Sequence, residues 1–281
     1  MPALLERVTI FCFAASYGTA LLLELLSPFQ PRPVQRLLGL AFGFAGFVAH
    51  TIYLAVQPVT LAAPFGSLLF LAWILAVFYL YGTVHHRRQA WGLFVLPLVL
   101  GLVVLAQFSP RTSAHTGTPM TGSFLSFLQG ERFWGRVHGG LVLLAAVGVC
   151  VGFVASVMYL VQVYRLRHKV APDRGVRLLS LERLEAMNRR AVVTAFPLLT
   201  AGLLVGVALM LHTGDYLADW TSPKVLSAAG LWVVFAILLF LRYGVHVRGR
   251  AAALWTIMAF ALLLVTLTAP AHPFAPGGDA P

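Results

Sequence analysis

The chain has 281 residues, of which 59% are hydrophobic and 10% are charged, and its mean hydropathy is +0.86. Because a soluble domain carries about 25% charged residues, this composition excludes a soluble enzyme, a disordered tail and a nucleic-acid-binding domain, and it indicates a polytopic membrane protein. The net charge of +11 is therefore not a nucleic-acid footprint, and the positive-inside rule accounts for it if the basic residues fall in alternate loops.

Eight apolar stretches are long enough to cross a bilayer at roughly 20 residues per span. They predict an all-α fold with a single membrane domain over residues 1–281 and no separate soluble domain. The fifth stretch would form roughly 46 Å of helix, more than the hydrocarbon layer requires, so we expect it to project from the membrane. The predicted spans are 4–26, 36–57, 64–84, 91–108, 134–164, 190–212, 223–243 and 250–270.

The distribution of basic residues predicts the orientation of these spans. The connections after spans one, three, five and seven, counted with the span ends that border them, hold 15 of the 20 lysines and arginines; the opposite connections with their bordering span ends hold four, and Arg7 completes the total. Because basic residues concentrate in cytoplasmic loops, we predict that both termini lie on the outer side of a bacterial inner (cytoplasmic) membrane.

Two of the connections are long. The outer loop 109–133 is polar and rich in glycine, serine and threonine, whereas the cytoplasmic loop 165–189 is basic. Ser180 is positioned to cap a short helix in the second loop, and the apolar residues of 181–187 fall on one side of that helix. We therefore expect an amphipathic segment that lies along the membrane surface.

Three histidines fall inside or at the ends of the spans, near the predicted outer surface. His50 lies in the second span, His138 near the start of the fifth, and His212 closes the sixth. Polar residues in spans are costly and are functional candidates, and histidine is a common ligand of metals and haem iron. Their similar depth predicts a metal or haem site. The alternative is that His138, one turn after Trp134, only anchors its helix at the interface.

The outer connection between spans six and seven contains Asp215, Asp219 and Trp220, and Pro223 is expected to start the following helix. This connection is either an interfacial belt or the rim of an outward-facing pocket. The chain has no HExxH motif, no hydrolase triad pattern and no phosphate-binding glycine loop. It also has no CxxCH motif, so the sequence does not predict covalently attached haem.

Five motifs follow one another in an order that is informative as a whole. They are Trp134-Gly-Arg-Val-His138, Ser180-Leu-Glu-Arg-Leu-Glu185, Phe196-Pro-Leu-Leu-Thr-Ala-Gly202, Ser222-Pro-Lys-Val-Leu226 and Val247-Arg-Gly-Arg250. Together they resemble the cytochrome c assembly family, which contains CcsA/ResC-type haem handlers and short eight-span relatives of the HemX/YpjD type. The resemblance is strongest over residues 130–265, about half of the chain, and His50 also fits it.

The resemblance implies a particular set of site residues. Larger members of the family hold haem on an outer surface, on a tryptophan-rich WWD segment flanked by histidines, and His138 matches the histidine before that segment. Here the segment contains the single Trp220, and Leu239 and Phe240 stand where the second outer histidine is expected. These differences favour the short HemX/YpjD-type branch.

The cofactor implied in this way is a non-covalent b-type haem. His50 and His138 are the predicted axial ligands of its iron, and His212, Trp134 and Trp220 complete the predicted cofactor-binding set.

We therefore expect a haem-handling membrane protein of cytochrome c biogenesis that is not an enzyme. Its expected partners are the lipid bilayer and other membrane proteins of cytochrome c assembly or of a respiratory complex, with no nucleic acid among them. The alternative is a cofactor-free regulatory or assembly partner that acts through the basic loop 165–189, on tetrapyrrole synthesis or on a membrane complex. A transporter is the third possibility, but paired charges at the midplane are poorly represented.

Overall fold

The computed structural model describes residues 9–26, 33–57, 59, 61, 63–85, 90–110, 131–169, 178–213, 220, 222–245, 247 and 249–269. These residues form eight helices and no strand. The outer loop 109–133 lies mostly outside the described residues, and so do the middle of the basic loop, Asp215 and Asp219. In chain order the helices are α1 (Ile10–Leu26), α2 (Pro33–Val56), α3 (Pro64–His85), α4 (Gly92–Gln107), α5 (Glu131–Arg167), α6 (Leu181–Thr213), α7 (Pro223–Tyr243) and α8 (Arg250–Thr268).

The eight helices correspond one by one to the eight predicted spans, so the prediction of an all-α fold is confirmed. Six of them, α2, α3, α5, α6, α7 and α8, are long and apolar enough to cross a membrane, while α1 and α4 are shorter apolar helices. This pattern is that of a multi-pass membrane protein. Complete crossing by α1 and α4, and the outer position of both termini, stay predictions.

The helices form two four-helix bundles, each closed into a ring. In the amino-terminal bundle, α1 and α3 each pack against both α2 and α4. In the carboxyl-terminal bundle, α5 and α7 each pack against both α6 and α8. The two rings are joined by contacts of α3 with α5 and α8 and of α4 with α5.

Glycines allow some of these helices to approach closely. A β-carbon at Gly148 of α5 would lie 2.8 Å from the β-carbon of Ala195 in α6, so only hydrogen fits there. At Gly82 of α3, the indole of Trp91 occupies the space of a β-carbon, and the indole nitrogen of Trp91 donates a hydrogen bond to the carbonyl of Phe78 at 3.3 Å. Small residues at such positions are the usual means of close packing between membrane helices.

The segment that follows Ser180 differs from the expectation. It is not a separate surface helix but the first turns of α6, which runs unbroken from Leu181. Ser180 does cap it, because the backbone N–H of Arg183 donates to Ser180 Oγ at 3.4 Å. Leu184 and Asn188 are both buried. Since these side chains have partners inside the bundle, the segment turns inward and does not lie along the membrane.

Both α5 and α6 are longer than a bilayer requires. They contain 37 and 33 residues, which correspond to roughly 55 and 50 Å of helix, against about 30 Å for the hydrocarbon layer. The two helices pack against each other, and their basic ends, at Arg167 and Arg183, are exposed. The expected overlength of the fifth span is therefore confirmed, and α6 shares it.

Candidate functional site: a cavity in the carboxyl-terminal bundle

A cavity of about 440 Å³ lies among the four helices of the carboxyl-terminal bundle. Its volume falls within the roughly 300–1,000 Å³ that is usual for small-molecule and cofactor sites. Its walls are almost entirely apolar, and they include Val149 of α5, Leu199 of α6, Phe235 of α7 and Leu263 of α8. The polar side chains that the described residues contribute to the lining are those of His138, Trp220, Lys224 and Thr266.

His138 enters this cavity from α5 with one ring nitrogen already bonded. Its Nδ1 lies 2.7 Å from the carbonyl oxygen of Gly202 in α6. A carbonyl oxygen can only accept, so Nδ1 carries the hydrogen and donates it. The neutral ring then has its lone pair on Nε2. Histidines that bind metals have this arrangement, in which a bond to a backbone carbonyl fixes the tautomer and the ring orientation.

The glycines of α6 make room for the imidazole ring. A β-carbon at Gly206 would lie 2.8 Å from Cε1 and 3.0 Å from Nδ1 of His138. Patterns of the type Gly202-x-x-x-Gly206 usually serve the packing of membrane helices, and here the two glycines also have a second role. Gly202 supplies the acceptor for His138, and Gly206 leaves the space in which the ring lies.

Lys224 and Trp220 lie at the end of the cavity nearest the start of α7. Ser222 caps this helix, with its side chain accepting from the backbone N–H of Val225, and Pro223 is its first residue, as expected. Trp220 is 41% exposed, so it stands at the rim. In the predicted orientation this rim faces the outer side of the membrane.

His50 lies elsewhere, in the amino-terminal bundle. It is fully buried in α2, and its ring stacks on Phe13 of α1 with centroids 4.1 Å apart. Tyr17 approaches it edge-on at 6.1 Å. Neither ring nitrogen of His50 has a hydrogen-bond partner in the described part of the chain. An unsatisfied buried polar group is costly and requires an explanation.

The other predicted site residues are exposed. His212 lies on the surface near the end of α6, and Trp134 is 45% exposed near the start of α5. Neither lines the cavity, and His50 does not line it either. Within the described ranges, no group of three or more His, Cys, Asp or Glu side chains could hold a metal ion. Of the predicted set, the structure therefore brings together His138 and Trp220.

A buried polar network closes the other end of the same bundle. Arg242 of α7 donates to Asn188 Oδ1 of α6 at 2.7 Å and to the carbonyl of Glu185 at 3.2 Å, and it lies 3.8 Å from the Glu185 carboxylate. Asn188 Nδ2 lies 2.8 Å from Ser156 Oγ of α5 and 3.0 Å from Thr256 Oγ1 of α8. All four helices of the ring therefore meet in one hydrogen-bonded cluster.

Sequence reasoning did not single out Lys224, Asn188 or Arg242 as functional residues. By sequence, Arg242 is one of the cations that border the cytoplasmic connections, and its place in the last turn of an apolar span is a further signal. Lys224, in the first turn of a span, gives the same signal at the opposite end. A cation just inside a span either reaches the interface or has a buried partner, and the structure shows the partners of Arg242.

Known proteins are similar to the chain over most of its length. A family model, Cytochrome C assembly protein, matches residues 61–268, which include His138 and Lys224 but not His50. Protein HemX of Brevibacillus brevis is 27% identical over 273 residues, with 92% of each chain covered. Protein HemX of Bacillus subtilis is 25% identical, covering 71% of this chain and 69% of the relative. The cytochrome c biogenesis protein CcsA of Microcystis aeruginosa is 22% identical, covering 71% and 72%. No solved structure matches the chain significantly.

Proposed function

Because the chain belongs to the cytochrome c assembly protein family, we propose that it binds and handles haem in the bacterial cytoplasmic membrane during cytochrome c biogenesis. Family membership supports the broader statement, a role in cytochrome c biogenesis. The proposal that the chain binds haem depends on the cavity of the carboxyl-terminal bundle, and the observation that carries it is the geometry of His138.

The residues of this cavity fit a haem. The macrocycle is flat and apolar, and the walls formed by Val149, Leu199, Phe235 and their neighbours are apolar. Haem iron needs an axial ligand, and the bond from Nδ1 of His138 to the Gly202 carbonyl leaves Nε2 free to serve as one. When bound, haem supplies an iron centre and the group that is attached to cytochromes. The protein supplies ligation, burial and access.

His50 remains the other predicted ligand. Among the described residues neither ring nitrogen of this fully buried histidine has a hydrogen-bond partner, which supports a bound group there. Since His50 and His138 lie in different bundles, we do not propose that they ligate the same iron. A haem spectrum of His50→Ala that matched the wild type would remove His50 from the proposed ligands.

The direct test is a visible spectrum. We expect the full chain, purified in mild detergent after growth with added haem, to show a Soret band that survives gel filtration. Pyridine extraction should identify the pigment as b-type, since the chain has no CxxCH motif. A colourless protein that also fails to take up haem in titration would refute the proposed function.

A substitution at Gly206 tests the His138 geometry without removing the ligand. Gly206→Ala would place a β-carbon 2.8 Å from Cε1 of His138 and so displace the ring. We expect haem affinity to fall about tenfold, since disturbing what orients a metal-bound histidine costs roughly 10–100-fold. The matched control is Gly140→Ala on α5, where a β-carbon would meet nothing within 4 Å. Equal haem titrations for both variants would contradict the proposed geometry.

A second function is favoured by the basic ends of α5 and α6. Arg167, Lys169, Arg183, Arg189 and Arg190 are all exposed there, and two of the similar proteins are named HemX. These observations favour a cofactor-free partner that acts on a cytoplasmic protein, in tetrapyrrole synthesis or in a membrane complex, through electrostatic complementarity.

Charge neutralisation separates the two functions. If the basic loop 165–189 carries the activity, replacing Arg183 together with Arg174 and Arg177, which lie outside the described residues, by glutamine should abolish complementation of a deletion strain, and His138→Ala should complement normally. If haem handling carries it, the pattern is reversed. Immunoblots of membranes are the control, since each variant must accumulate to the wild-type level. A loss of complementation in both variants would mean that neither region acts alone.

A further inference from the structure

Among the described residues that line the cavity, Lys224 is the one cation and none has an acidic side chain. It lies in the first turn of α7, directly after Pro223. The other lining residues at this end, such as Val225, Ala228 and Leu209, are apolar. The cavity therefore has one positively charged end and an apolar interior.

The surroundings of Lys224 favour an anion at this end. An ammonium group beside apolar walls loses part of its hydration, and the free-energy cost is offset when a counter-charge lies near it. Lys224 has no ion-pair partner among the described residues. The backbone N–H groups at the start of α7 add a partial positive charge to that of the lysine.

The shape of the cavity indicates where the anionic part of a ligand would lie. From Lys224 to Phe235, both of which line the cavity, α7 advances eleven residues, or roughly 16 Å. His138, on the α5 wall, lies against the turn of α6 between Gly202 and Gly206. A tetrapyrrole has a flat apolar body and carries its carboxylates on its edge, which matches one charged end and an apolar interior.

From this arrangement, and on the basis of the proposed function, we infer that Lys224 binds a carboxylate of the tetrapyrrole and so selects tetrapyrrole carboxylic acids, with or without iron. The apolar walls hold the ring, Lys224 holds its carboxylate edge at the rim, and His138 adds affinity only when a metal is present. The cavity should accordingly accept a metal-free porphyrin dicarboxylic acid, which His138 cannot ligate.

The experiment compares an acid with its ester. The full chain in phosphatidylcholine nanodiscs is titrated with protoporphyrin IX and with its dimethyl ester, and binding is followed by porphyrin fluorescence. Lys224→Gln should weaken binding of the acid about tenfold, as expected for the loss of one hydrogen bond to a charged group, and should leave binding of the ester unchanged. Lys224→Arg, which keeps the positive charge, should bind the acid as the wild type does. Arg136→Gln, which removes an exposed cation of α5 outside the cavity lining, is the matched control and should have no effect.

Each result decides the inference. If Lys224→Gln weakens acid and ester equally, or weakens neither, the lysine does not bind a carboxylate. If the wild type binds haem but no metal-free porphyrin, the iron-independent selection is wrong and the proposed function stands. If it binds neither haem nor porphyrin, the proposed function and this inference both fail. Gel filtration and an apparent Tm within about 3 °C of the wild type would show that Lys224→Gln is folded.

Discussion

His138→Gly is expected to remove the Soret band of histidine-ligated haem and to weaken haem binding, and free imidazole is expected to restore both. The ring of His138 is the one imidazole in the described cavity lining, and its Nδ1 is already bonded to the Gly202 carbonyl. Removing the ring removes the ligand itself. The loss of affinity should therefore exceed the roughly 10–100-fold that follows from disturbing an outer-shell partner. The measurement is a haem titration of the wild type and the variant, with and without imidazole.

His212→Ala is the matched control for this prediction. His212 lies in the adjacent helix α6, but it is exposed and does not line the cavity, so its loss should leave the spectrum unchanged. Two results would contradict the prediction. One is a normal Soret band in His138→Gly without imidazole, and the other is a loss of haem in His212→Ala that matches the loss in His138→Gly.

Asn188→Leu is expected to cause the largest loss of stability. The Asn188 amide accepts from Arg242 at 2.7 Å and also bonds to α5 and α8. Its removal deprives a guanidinium that is 6% exposed of an acceptor at 2.7 Å. Leaving this buried guanidinium short of a hydrogen bond, together with the loss of the other bonds of the Asn188 amide, costs about 3 kcal/mol. For a domain of this size that is roughly a 10 °C fall in apparent Tm, measured in detergent at a fixed scan rate because unfolding of such proteins is often irreversible.

A double variant shows whether the contact between Asn188 and Arg242 accounts for the loss of stability. In Asn188→Leu/Arg242→Leu the buried charge is gone together with its partner, so the cost should be well below the sum of the two single costs. Arg190→Leu, at an exposed position of the same helix, should shift stability by no more than about 0.5 kcal/mol. Additive single effects, or a fall in Arg190→Leu equal to that in Asn188→Leu, would show that the network does not stabilise the bundle.

The helices could be predicted from the sequence because hydrophobicity alone determines where a chain can lie in a bilayer. The start of α7 at Pro223 and the capping role of Ser180 were also predictable, since both depend on local chemistry. The unbroken course of α6 from Leu181 into the bundle was not predictable. Residues 181–188 carry a charged surface pattern, and their course into the bundle depends on Asn188 meeting Arg242, which is 54 positions away.

The candidate site was predictable in its chemistry but not in its grouping. His50, His138 and His212 lie at similar depths along their spans and therefore look like one set. A sequence indicates the depth of a residue in the membrane, but not which neighbouring helices its side chain faces. The division into two bundles places His50 and His138 in different rings. The roles of Gly206 and Lys224 depend on contacts between helices, and the sequence alone does not supply these.

The two ends of the carboxyl-terminal bundle differ in a way that matters for an energised membrane. Seven residues beyond Phe235 at the cavity wall, α7 carries the permanently charged guanidinium of Arg242, held by α6 and enclosed by all four helices. A fixed cation in a narrow protein interior repels protons and metal ions. Under the proposed function, a large ligand would fill or leave the cavity while the charged far end opposes the passage of protons and metal ions, so that its binding and release would not dissipate a proton gradient across the membrane.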